Sequence, residues 1–208
     1  MTTWDILNII GTLAFAISGA LIAREEDYDI VGIYVLGFTT AFGGGLIRNL
    51  LIGVPIEDTW NQGSLFQVAF LAITIVFLLP IGWLDHIKKM IVIFDAIGLA
   101  AFAIQGANYA ASIGAPLIAV IIAATITGAG GGMIRDVFAG RKPMIFHSEI
   151  YALWAVLAGL TIGLGLIRGP YGTAFLFIAI VFLRIMSVRF KWNLPHSVSY
   201  ENKSSLGG

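Results

Sequence analysis

Seven stretches of this chain are apolar enough, and about long enough, to cross a lipid bilayer as helices, which takes roughly 20 residues each. They run approximately from Trp4 to Ala23, Ile30 to Leu51, Ser64 to Leu84, Met90 to Ala110, Pro116 to Phe138, Glu149 to Ile167 and Pro170 to Arg189. In lipid the backbone must satisfy its own N–H and C=O groups, so such stretches fold as helices. Only 12% of the 208 residues are charged, against about a quarter in soluble domains. The expected architecture is an all-α integral membrane protein with seven transmembrane helices. The connections are short: Arg24 to Asp29 is acidic, Gly53 to Gly63 carries Pro55, Glu57 and Asp58, Asp85 to Lys89 is mixed, and Gly140 to Ser148 is basic. None is long enough to form a separate soluble domain, and residues 192–208 read as a polar tail. The N-terminus has no basic n-region, so its first apolar run reads as a retained helix.

Lysine and arginine set the orientation. Arg48 and Arg135 fall inside spans. Arg24, Lys88, Lys89, Arg141, Lys142, Arg184, Arg189, Lys191 and Lys203 fall on one side, and Arg168 alone on the other. That bias places the N-terminus outside and the C-terminus in the cytoplasm, in a multi-pass protein of the cell inner (plasma) membrane. Trp4, Trp60, Trp83, Trp154 and Trp192 stand near span ends, as interfacial anchors would.

The chain also repeats. A shift of 87 residues lays Gly11 on Gly98, Phe15-Ala16-Ile17 on Phe102-Ala103-Ile104, and Gly19-Ala20 on Gly106-Ala107. Without a gap, the same shift lays Gly43-Gly44-Gly45 on Gly130-Gly131-Gly132, Arg48 on Arg135 and Gly53 on Gly140. Each unit holds three spans, and three is odd, so the second unit enters the membrane from the opposite side. The expected domains are residues 4–84 and 90–167, two inverted three-helix repeats, then an accessory seventh helix over 170–190. Inverted repeats with interrupted helices at matching positions are an arrangement of solute-moving proteins, with the site at the repeat interface.

The glycine triplets predict breaks in helices 2 and 5, because each glycine weakens a helix by about 1 kcal/mol relative to alanine. A break leaves free carbonyls on one side and free amides on the other. Thr39, Thr40, Thr125 and Thr127 precede the breaks, so hydroxyls beside carbonyls would suit a partly dehydrated monovalent cation, bound transiently. Phe42, just before the first triplet, is a candidate constriction. The alternative is that the glycines simply let helices pack closely.

Arg48 and Arg135 are expensive in a membrane and need partners. Adjacent positions on a helix point about 100° apart, so a cross-repeat pair of Asp136 with Arg48 is expected. Asn49 occupies the matching place in the first copy. These four residues are gate or latch candidates, the alternative being that the arginines only bond carbonyls at helix breaks. Asp95, aligned with Asn8, reads as a helix-start carboxylate at the interface. Ser18 and Gln105 align inside the first helix of each repeat, as path-lining or packing residues.

Several chemistries have no basis here. There is no cysteine, and His86, His147 and His196 are scattered, which leaves no metal site beyond a transiently bound monovalent cation and no cofactor. No nucleotide loop, triad or paired intramembrane carboxylates suggest an enzyme. Nothing suggests a nucleic-acid partner.

The duplicated motif Gly-Gly-Gly-x-x-Arg-Asp-x-x-x-Gly, with Phe-Ala-Ile-x-Gly-Ala in the first helix of each repeat, resembles the prokaryotic branch of the trimeric intracellular cation channel family, TRIC. The resemblance covers the chain from Trp4 to about Arg189. It implies a homotrimer in which each protomer carries its own potassium-permeable pore, lined by kinked second and fifth helices. Carried over by position, the breaks are Gly43 to Gly45 and Gly130 to Gly132, followed by Arg48 and Arg135. Asn49 departs from the pattern, where an aspartate is usual in bacterial members. Bacterial proteins of this family are also described as glycine transporters. A carrier for glycine or another small neutral amino acid, holding its carboxylate near Arg48 or Arg135, is the alternative function. Membrane lipids are the remaining expected partners, with Lys88, Lys89, Arg141 and Lys142 able to meet anionic headgroups.

Overall fold

The computed structural model describes residues 2–53, 62–80, 82, 90–147 and 150–194. Pro55, Glu57, Asp58, Trp60, Trp83, His86, Lys88, Lys89, His196 and Lys203 lie outside the described residues. Eight helices form among the described residues: α1 (Thr3–Glu25), α2 (Ile30–Ile52), α3 (Gly63–Leu78), α4 (Ile91–Ser112), α5 (Leu117–Phe138), α6 (Met144–His147), α7 (Ala152–Gly163) and α8 (Gly169–Arg189). Five of them, α1, α2, α4, α5 and α8, are long and apolar enough to cross a membrane, whereas α3 and α7 are shorter apolar helices of 16 and 12 residues. The expected spans Ser64 to Leu84 and Glu149 to Ile167 are therefore longer than the helices described there.

Local chemistry sets the helix ends. Thr2 caps α1 through a reciprocal pair, in which the Asp5 amide donates to Thr2 Oγ1 at 3.3 Å and the Thr2 amide donates to Asp5 Oδ2 at 2.7 Å. Asp29 caps α2 by accepting from the Gly32 amide at 2.7 Å. The aligned glycines Gly53 and Gly140 follow α2 and α5 in the left-handed conformation, at φ 71° and 67°. After α5 the Arg141 amide reaches back to the Asp136 carbonyl at 2.8 Å. Pro170 opens α8, where its missing N–H costs nothing.

The glycine triplets do not break their helices. α2 runs unbroken from Ile30 to Ile52 through Gly43 to Gly45, and α5 from Leu117 to Phe138 through Gly130 to Gly132. The reason is packing. A Cβ built on Gly44 would lie 2.5 Å from the Thr127 carbonyl oxygen, and one on Gly131 would collide with the Thr40 carbonyl oxygen. The two helices cross with backbone against backbone, and the contact outweighs the glycines' weak helix propensity. Only glycine allows it.

The same relation holds around the first helices of the two repeats. Gly19 of α1 leaves 2.6 Å between a built Cβ and Thr40 Oγ1, and Gly106 of α4 leaves 2.5 Å to Thr127 Oγ1. A Cβ on Gly11 would meet the Phe102 ring, and one on Gly98 the Phe15 ring. Phe15 and Phe102 themselves touch across the seam, ring centroids 5.3 Å apart. α1 and α4 are the central helices, 67% buried over their most apolar stretch, whereas α8 is 22% buried and lies at the periphery.

One expected anchor is internal instead. Trp154 is buried in the cluster around Leu99, Ala103 and Ile180, and its indole N–H donates to Ser187 Oγ at 3.4 Å.

Candidate functional site

The two arginines sit at opposite ends of the seam between the repeats. Arg135, on the last turn of α5, is fully buried. Its Nη1 donates to Ser18 Oγ at 2.6 Å and to Asp95 Oδ1 at 2.9 Å. Its Nε and Nη2 both reach Asp136 Oδ1, at 2.9 and 2.8 Å. The Tyr151 hydroxyl donates to Asp95 Oδ1 at 3.3 Å, and the Met144 amide to Asp136 Oδ2 at 3.0 Å. Gly132 makes room: a Cβ there would lie 2.9 Å from the Tyr151 hydroxyl and 3.3 Å from Asp95 Oδ1. Arg184 stacks over the Tyr151 ring at 4.6 Å. A buried cation with two carboxylates is held by charge as well as by hydrogen bonds.

Arg48 has a different shell. Its Nε and Nη2 donate to Asn49 Oδ1 at 3.0 and 2.8 Å, and its guanidinium lies 5.0 Å from the Tyr109 ring centroid. Among the described residues no carboxylate stands within ion-pair distance. It borders a small polar cavity of about 50 Å³, which Asn8, Thr12, Asn49, Gln105 and Thr127 also line. At the other end a second opening of about 360 Å³ is lined by Arg135, Asp136, Arg141 and Lys142, with Ile22 and Met144.

Several expectations need correcting. Asp136 does not pair with Arg48. It pairs with its neighbour Arg135, because the long arginine side chain folds back across the 100° that separates adjacent positions, and because Arg48 lies at the far end of the seam. Asp95 is not an interfacial carboxylate: it is fully buried and bonded to Arg135. Arg184, counted above among the charges on one side, is a fully buried residue of α8 that donates to the Ile150 carbonyl at 3.4 Å. Tyr151 had no signal in the sequence, since the duplication supplies it no counterpart of its own kind.

The four threonines separate into two pairs. Thr40 and Thr127 are equivalent under the repeat shift, fully enclosed at the α2–α5 crossing, and each hydroxyl donates to the carbonyl one turn back at 2.6 Å. Thr39 turns to an apolar groove with Phe38, Phe42 and Gly43, and Thr125 bonds the Ile121 carbonyl at 2.8 Å away from the crossing. Phe42 borders both this groove and the polar cavity, and stacks on Phe66 with centroids 4.2 Å apart.

Charged contacts also tie the helix ends together near Arg135. Arg141 reaches Glu25 Oε2 at 2.9 Å and Glu26 Oε1, which joins the acidic turn after α1 to the basic turn after α5. Arg24 caps α3 by donating to the Val76 and Leu79 carbonyls at 2.6 and 2.9 Å.

Known proteins share this fold. A prokaryotic TRIC channel crystallised in 0.5 M KCl is 36% identical, superposes with a TM-score of 0.78, and covers 92% of this chain and 98% of its own. A structure reported for conductance through TRIC cation channels is 37% identical, with a TM-score of 0.83 and coverage of 94% and 97%. The chain belongs to the prokaryotic TRIC family. The profile of a family described as "Glycine transporter" matches residues 5–80 and 92–166, one block for each repeat. Among curated relatives, the UPF0126 membrane protein YvgT of Bacillus subtilis (strain 168) is 57% identical over 93% of this chain and 96% of its own. The UPF0126 inner membrane protein YadS of Escherichia coli (strain K12) is 36% identical over 90% and 92%. With its apolar helices, the chain is a multi-pass membrane protein of this family.

Proposed function

We propose that this protein is a monovalent-cation channel, permeable to potassium, with a path inside each protomer between the two inverted repeats. One observation carries the reading: spaces lined by polar and charged side chains lie at opposite ends of the same seam, one at Arg48 and one at Arg135. Along α1 they are separated by the stretch from Thr12 to Ile22, about 15 Å at 1.5 Å per residue. Phe15, Phe102, Thr40, Thr127 and the Gly44–Gly131 crossing fill that stretch, so this conformation is shut. Opening requires the crossing to loosen. The buried ion pairs of Arg135 with Asp95 and Asp136 make that end the latch, and the Thr40 and Thr127 hydroxyls are the polar groups an ion would meet.

Seven spans, an N-terminus outside, a cytoplasmic C-terminus and a homotrimer complete the reading. The similar solved structures and the lysine and arginine bias support it. The exposed apolar side chains of α2, α3 and α8, among them Val31, Leu71, Ile75 and Phe175, suit a lipid or subunit boundary. The second reading, a carrier for glycine or a similar amino acid, is favoured by the family profile and by the guanidinium of Arg48, which has no carboxylate beside it among the described residues.

Planar-bilayer recording of the purified protein under unequal potassium chloride tests the choice. A channel gives discrete openings that reverse near the potassium equilibrium potential, and Arg135→Ala raises its open probability. Silent bilayers, together with glycine accumulation in proteoliposomes, would replace this reading with the carrier.

A further inference from the structure

We infer that the cavity beside Arg48 binds a small carboxylate anion, held between the Arg48 guanidinium and the Gln105 side-chain amide. The duplication supplies the argument. In the second repeat Arg135 is surrounded by Asp95, Asp136 and Ser18. Under the repeat shift those places around Arg48 are taken by Asn8, Asn49 and Gln105. Both built-in carboxylates have become amides, while the cation has stayed.

What remains among the described residues is a cationic site without a carboxylate. Arg48 is 8% exposed and Gln105 is 2% exposed, so neither is free to seek water away from the cavity. Gln105 Nε2 is buried and has no hydrogen-bond partner among the described residues, and Gln105 lines the same cavity as Arg48, Asn8 and Thr12. A buried donor without an acceptor is rare in folded proteins. The positive charge of Arg48 makes an anion, rather than a resident cation, the bound occupant of this cavity. A planar guanidinium with an amide N–H beside it matches the two oxygens of a carboxylate better than it matches a spherical halide.

The cavity sets the size. At about 50 Å³ it takes a few waters' worth of volume, enough for a formate-sized or acetate-sized ion. No carboxylate among the described residues stands by Arg48 to receive an ammonium group, so a free acid anion fits better than the zwitterion glycine. The site does not depend on whether the seam conducts ions.

The test uses the full chain purified in detergent, with 13C-formate as the probe in a sodium sulfate background and its NMR line width as the readout. Wild type is expected to broaden the line saturably, reversed by excess unlabelled formate. Asn8→Asp, which tethers a carboxylate where Asp95 stands in the other repeat, is expected to weaken binding at least tenfold, as is Gln105→Leu. Asn8→Asp should also remain monodisperse with a melting midpoint no lower than wild type, which separates occupancy from misfolding. No saturable broadening in wild type, or equal broadening in wild type and both variants, would overturn the site. Displacement by chloride as effective as by formate would overturn the carboxylate assignment. Glycine displacing formate at lower concentration than acetate does would overturn the free-anion assignment and favour the carrier.

Discussion

The two repeats share a backbone plan and differ in chemistry. At the α2–α5 crossing they are near copies: Gly44 opposes Gly131, Thr40 matches Thr127, and Phe15 meets Phe102. One turn or so further on they diverge. Arg135 is locked by Asp95, Asp136 and Ser18, whereas Arg48 rests on the neutral Asn49 and the Tyr109 ring. The crossing has little freedom to diverge, because any side chain there meets a carbonyl of the other helix. The arginine shells are built from side chains alone and can change one at a time. Duplication thus gives a symmetric scaffold with one arginine paired to carboxylates and one beside a small polar cavity.

The sharpest way to break the symmetric part is Gly131→Val. Its branched side chain would meet the Thr40 carbonyl, a backbone atom that cannot swing aside, so the cost lies at or beyond the upper end of the about 1–3 kcal/mol typical of overpacking. Loss of monodisperse protein on size exclusion is the expected outcome. Gly45→Ala is the control, since the nearest atom to a built Cβ there is 3.9 Å away, and its melting midpoint should stay near wild type.

Next in size is the asymmetric part. Asp95→Asn keeps the shape but removes one countercharge from the buried Arg135, and breaking a buried pair costs about 3 kcal/mol or more. Asn8→Ala at the equivalent place should cost less than about 1 kcal/mol, one neutral hydrogen bond at most. Thermal unfolding of both variants checks the contrast, and equal losses would mean that the two arginine shells are energetically alike.

The smallest effect belongs to the exposed bridge between the halves. Arg141→Ala removes its contacts to Glu25 and Glu26 at the surface, and exposed pairs contribute about 0.2–1 kcal/mol. A melting shift that fades as salt is raised is the expected result.

The helices, the duplication and the unusual arginines were legible in the chain because each leaves a local mark: an apolar run, a repeated spacing, a charge where lipid forbids one. The triplets were legible as special, but not as what they are. A glycine run reads as a break when only the helix's own propensity is weighed, and the opposing carbonyls of Thr40 and Thr127 lie almost ninety positions apart in sequence. Asp95 was misplaced for the same reason. Near the start of its span it looks interfacial, and only the folding of α4 against α1 and α5 brings it to Arg135.

The sequence by itself determined a helical membrane protein with an internal duplication, since bilayer thickness and backbone hydrogen bonding leave no other use for its apolar runs. Only the tertiary structure decided which polar groups meet. Partners such as Ser18 with Arg135, or Tyr151 with Asp95, come from different helices, and their pairing depends on crossing points and helix rotations that no local pattern encodes. It also decided that α2 and α5 stay whole through their glycines, because contact between two backbones offsets what each would lose alone.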